Sequence, residues 1–125
     1  MRRRTTIGTL GLVLALATGC RADPKKEAAR LTGGDPDRGI ERIGYYGCGA
    51  CHTIPGIHGA DATVGPSLDR IAVREYLAGH LPNTPANMIK WIQKPQEINK
   101  DTAMPDMEVT DQDARDIAAH LYTLR

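Results

Sequence analysis

Cys48-Gly49-Ala50-Cys51-His52 has the Cys-x-x-Cys-His spacing by which a c-type haem is attached to a chain. In that chemistry the two thiols add across the haem vinyl groups as thioethers, and the adjacent imidazole is carried to the iron as its first axial ligand. The spacing matters because one turn of chain must set both sulfurs under one porphyrin edge while the imidazole points at its centre. Two other readings compete for the same residues. A thioredoxin-like redox pair wants a strand before it and a helix after it, whereas a helical pattern precedes this one. Half of a zinc site needs further ligands, and the only other thiol is Cys20. The motif occurs once, so one covalent haem per chain is expected.

Upstream of the motif, Asp35-Pro36 reads as an N-cap followed by proline at the first helical position. Ile40, Ile43 and Gly47 then recur at helical spacing, so this helix ends by presenting Cys48. Gly39 and Gly44 weaken it by up to ~1 kcal/mol each relative to alanine, and are expected to mark close approach by another helix. Downstream, Thr53 to Gly65 is rich in glycine, proline and small polar residues and reads as loop, closed by Gly65-Pro66-Ser67-Leu68. The Pro66 carbonyl is free to accept from the far nitrogen of an axial imidazole and so fix the ring. Thr84-Pro85 is a second cap-plus-proline start, with Met88, Trp91 and Ile92 on one face before Pro95 stops the helix. A final helix opens at Thr110, with Asp111 and Asp113 at its positive end and a stripe of Ala114, Ile117, Ala118, Leu121 and Leu124. No strand pattern is convincing, and the class is all-α.

The 125 residues leave room for one domain, and with no phenylalanine and 4% aromatics its own apolar core is modest. A covalent haem would supply a large apolar body at the centre. Residues 1–19 have the tripartite form of a secretory signal: Arg2-Arg3-Arg4, an apolar run from Ile7 to Ala17, and small residues before Cys20. The run falls short of the ~20 apolar residues that span a bilayer. Leu16-Ala17-Thr18-Gly19-Cys20 looks like a bacterial lipobox, whose cysteine is acylated and becomes the mature N-terminus; an ordinary cleaved signal is the plainer alternative. A twin-arginine reading of Arg3-Arg4 is weaker. Losing residues 1–19 would remove three of the 16 basic residues and no acidic one, leaving 13 against 15 and a formal charge of −2. Nothing in that balance points to nucleic acid. Residues 20–34 read as a lipidated N-terminus and flexible tether, and residues 35–125 as the folded domain.

Taken together, Cys48 to His52, the Gly65-Pro66 turn and Met104-Pro105 ahead of a C-terminal helix make residues 35–125 resemble the class I, mitochondrial-like cytochromes c. The resemblance is nearest to the cytochrome c domains fused to subunit II of bacterial haem-copper oxidases. It implies a few helices wrapped round one haem c, with the first and last helices crossing. It also implies Cys48 and Cys51 as the attachment residues, and His52 and Met104 as the iron ligands. Pro66 would then accept from His52, Leu68 would pack on the haem, and Trp91 would face the ring from the methionine side. Arg74 and Asn83 lie in a stretch like the one that meets the haem propionates, with Arg70 the nearest substitute for Arg74. Where relatives often have a Pro-Gly turn before the methionine, Asn99-Lys100 must make the bend.

The function that follows is a one-electron carrier, not an enzyme. It would be exported and held by lipid on Cys20 at the outer face of the cytoplasmic membrane or facing the periplasm. Its partners would be a quinol-oxidising complex and a terminal oxidase or other acceptor. A fixed cytochrome c subunit of such a complex is the alternative. A haem enzyme or gas sensor would need an open iron and a polar distal group such as His58, His80 or His120, three residues whose default is the exposed surface.

Overall fold

Four of the five helices in residues 22–125, the residues that a computed structural model describes, begin on proline. At a first helical position proline lacks only an N–H that has no intrahelical partner anyway. The helices are α1 (Pro24–Thr32), α2 (Pro36–Tyr45), α3 (Pro85–Gln93), α4 (Pro95–Ile98) and α5 (Asp111–Leu121). Between α2 and α3 lies a two-stranded antiparallel hairpin, β1 (Tyr76–Leu77) with β2 (Leu81–Pro82). The expected signal segment and Cys20 lie outside the described residues.

The caps fall where the sequence puts them. The Asp35 carboxylate accepts from the N–H groups of Asp37 at 2.9 Å and Arg38 at 3.2 Å. The Thr84 and Thr110 hydroxyls accept from Asn87 and Asp113, each at 3.2 Å. Each such cap satisfies a backbone donor that the helix leaves orphaned.

The stretch read as a tether is corrected: residues 24–32 form α1, which packs against α5. Asp23 caps its start, and Gly33, at φ 70°, closes its end by donating its N–H to the Ala29 carbonyl. Its buried face is Ala28 and Thr32, side chains too small to register as an apolar stripe. The helix exists because α5 offers a surface to cover, which local periodicity does not report.

The core is built on α5, against which α2 makes the largest contact and α1 and α3 smaller ones. Gly39 sits at the α2–α5 contact. A β-carbon there would lie 2.2 Å from the Asp116 carbonyl oxygen and 2.8 Å from the His120 β-carbon, so the expected close approach is present. At Gly44 it is absent, because a β-carbon would meet nothing within 4 Å. Ile43 is buried, but Ile40 is 38% exposed; Pro36 and Gly39 complete the buried face instead.

One carboxylate ties α2 to α5. Asp116, 1% exposed, accepts from the Asp35 N–H at 2.7 Å, from Arg38 Nε and Nη2 at 2.8 and 2.9 Å, and from Gln112 at 3.0 Å. Burial by itself would raise its pKa, but these donors outweigh burial and hold it below the ordinary aspartate value.

His120 is a second correction. It is 7% exposed, in the α2–α5 contact rather than on the surface, and its Nε2 has no hydrogen-bond partner. Burial first, then the nearby charge of Lys25, push its pKa below 6.5, against an opposing pull from Asp37. Between the folded pKa and 6.5 the unfolded chain binds more protons than the folded one, so stability falls as pH drops below 6.5. The midpoint of chemical denaturation should decline from pH 7 to pH 5, and His120→Tyr should flatten that decline.

Candidate functional site

The chain leaves α2 through Gly47, at φ 70°, and turns into a single 3₁₀ turn, Cys48–Ala50. The N–H groups of Cys51 and His52 both bond back to the Cys48 carbonyl, at 3.2 and 3.0 Å. This compact turn sets Cys48, Cys51 and His52 on the wall of one cavity of about 520 Å³, a volume in the usual range for cofactor sites.

The His52 ring is fixed from behind. Its Nδ1–H donates to the Pro66 carbonyl at 2.7 Å. A carbonyl only accepts, so Nδ1 carries the proton and Nε2 keeps a free lone pair. Gly65 makes room for the ring, since a β-carbon there would fall 2.6 Å from its Cε1. The loop behind is held by the Gly65 N–H on the Cys51 carbonyl at 2.7 Å and the Leu68 N–H on the Thr53 carbonyl at 2.8 Å. Thus the stretch read as plain loop is pinned to the motif at both ends.

Met104 lines the same cavity, as do Leu68, Trp91 and Arg74. The approach to Met104 runs through α4, so Pro95 both ends α3 and starts the next short helix. The bend assigned to Asn99-Lys100 is made by Asn99: its side chain accepts from the Asp101 N–H at 3.1 Å and its carbonyl from the Thr102 N–H at 3.2 Å. Gln96 then donates to the Met104 carbonyl at 2.7 Å, a contact not visible in the sequence because it depends on how the α4 loop closes. Met107 and Met88 also line the cavity; Met107 is 40% exposed, and Met88 is buried within α3.

Asn83 is a correction. It does not line the cavity; its amide donates to the Ile71 and Arg74 carbonyls, both at 2.8 Å, and its oxygen accepts from Tyr122 at 2.8 Å. All of its useful hydrogen-bonding capacity is therefore committed to protein. Arg70, at φ 53°, precedes the 3₁₀ turn Ile71–Val73 and does not line the cavity either. His58, His80 and His120 likewise lie off the cavity wall.

These features suit a covalently bound haem. Two thiols stand one turn apart, a tautomer-fixed imidazole has its free nitrogen available, and Gly65 clears the space that ring needs. A thioether and an indole come from other elements. No curated protein and no solved structure matches the chain. The family model described as Cytochrome c matches residues 42–125, a span that runs from the last turn of α2 through the whole cavity wall to the C-terminus. With its motif, its cavity and that match in agreement, the chain belongs to the cytochrome c family, whose members bind haem c covalently, typically one per domain, and use it to carry electrons.

Proposed function

We propose that this protein is a class I cytochrome c that carries single electrons between a quinol-oxidising complex and a terminal oxidase or other acceptor. On this reading it is exported and held at the membrane by lipid on Cys20. The observation that carries it is that His52, locked by Pro66, and Met104 line one cavity, so that an imidazole nitrogen and a thioether sulfur would both be available to a haem held there. Bound haem supplies an iron that takes up and releases one electron.

The chain's own residues do the rest. Cys48 and Cys51 would hold the group by thioethers. Pro66 orients the His52 ring and makes it a stronger donor. Met104, as a thioether ligand, would favour the reduced metal and so raise the potential. Leu68 and Trp91, on the cavity wall, would keep water away from the bound group, and Arg74 would offer a cation to its acidic groups. With His52 and Met104 both holding the iron, small molecules would have no position to occupy. The histidines that a gas sensor or haem enzyme would use lie off the cavity wall. A fixed subunit of a respiratory complex would use the same chemistry without diffusing.

The test is to mix the reduced full-length protein with carbon monoxide at neutral pH and, in parallel, with membranes containing a terminal oxidase. Oxidation by the membranes with little carbon monoxide uptake is expected. Rapid stoichiometric carbon monoxide binding with no oxidation would place the protein among sensors or enzymes.

A further inference from the structure

We propose that Tyr122 and Asn83 are positioning residues for the haem pocket, acting together to hold the Arg74 guanidinium against the cavity. Nothing in the motif or the ligand set requires either residue. The proposal rests on the haem-pocket reading given above.

The geometry begins at the C-terminus. The Tyr122 hydroxyl, just past α5, donates to Asn83 Oδ1 at 2.8 Å. The Ile71 and Arg74 carbonyls can only accept, so they fix the Asn83 amide nitrogen toward the 3₁₀ turn Ile71–Val73 and leave its oxygen to the Tyr122 hydroxyl. One N–H meets the Ile71 carbonyl and the other the Arg74 carbonyl, each at 2.8 Å, so a single side chain clasps the turn at both ends. Among neutral side chains only a primary amide can donate twice and accept once in this way. Two backbone bonds brace the same region: Asn83 N–H to the Glu75 carbonyl at 2.9 Å, and Ala72 N–H to the Leu124 carbonyl at 3.1 Å.

The clasp fixes the backbone at one end of Arg74, and the far end is fixed as well. Nη2 donates to the Ser67 carbonyl at 2.7 Å and the Asp69 carbonyl at 2.6 Å. A guanidinium has five N–H donors; two are used on these carbonyls, and three remain on a side chain that lines the cavity. Arg74 is thus stretched between the Asn83 clasp and the loop beside Pro66. A cation held near a haem would be repelled less by the reduced centre, whose net charge is one unit lower, and so would favour the reduced state. It therefore raises the reduction potential. Burial pushes the Tyr122 hydroxyl up to about 12, so it remains a donor throughout the neutral range.

The experiment uses the haem-loaded protein and reads the midpoint potential. Tyr122→Phe removes the hydroxyl that anchors the Asn83 oxygen, and Asn83→Ala removes the clasp. Each should lower the potential enough to shift the oxidised-to-reduced ratio by about threefold, the order expected for slight displacement of one partly solvated charge. In an Arg74→Gln background the same changes should have little further effect, because the charge they position is gone. Asp116→Asn serves as the control: it loosens the α2–α5 tie and lowers stability, yet should leave the potential unmoved. An unchanged potential in both variants overturns the proposal, as does an equal shift with and without Arg74. A preparation with no covalent haem signal would instead overturn the pocket reading itself, a result distinct from an unshifted potential.

Discussion

Met104→Ala should lower the midpoint potential by a substantial part of the ~0.8 V over which axial ligation tunes haem proteins. On the proposed ligation, the replacement would remove the thioether that favours ferrous iron and open a position at the metal. The weak red absorption band of methionine bound to ferric iron should vanish, and the reduced protein should take up carbon monoxide. Met107 is the internal rival, since it also lines the cavity. It is 40% exposed, lacks a following proline and lies closer to the Thr110 cap of α5. Met107→Ala should therefore leave the band in place; the reverse pattern would transfer the assignment to Met107.

The second large effect is structural. Gly39→Val should destabilise the protein by about 3 kcal/mol or more, against a total on the order of 5–15 kcal/mol for a domain. Even the first added carbon would lie 2.2 Å from a backbone oxygen of α5, which cannot rotate away as a side chain would. The helices would have to part, and the Asp116 bonds to Asp35 and Arg38 span the same contact. Gly44→Ala is the matched comparison. Nothing lies within 4 Å of a β-carbon there, so the gain in helix propensity, up to ~1 kcal/mol, should prevail. Guanidinium denaturation of both variants with haem attached checks the contrast; equal losses at the two positions would show that the α2–α5 approach is not the cause.

The sequence and the folded chain divide the account along physical lines. The motif, its loop and the helix starts are local. Cys48, Cys51 and His52 fall within a single turn, Asp35-Pro36 and Thr84-Pro85 act over three residues, and the α5 stripe repeats at the helical period. Interactions of such short range can be read directly from residue order. Even there the local pattern has an edge: Leu124 continues the stripe, but the helix ends at Leu121, and the Leu124 carbonyl accepts from Ala72 instead.

The sequence by itself therefore determined an all-α chain built round one Cys-x-x-Cys-His site, and it named Cys48, Cys51, His52 and Met104, which line one cavity. Only the tertiary structure decided what depends on partners far apart in the chain. It made residues 24–32 a helix, because α5 supplies the surface that their small side chains cover. It buried His120 where α2 crosses α5, although an ionisable imidazole belongs by default at the surface. It made Asn83, read as part of a propionate-binding stretch, a clasp on the backbone, because the Ile71 and Arg74 carbonyls take its N–H groups and Tyr122, 39 residues away, takes its oxygen. Residue order carries the strength of each side chain's preference, but which distant group satisfies that preference is settled only when the chain closes on itself.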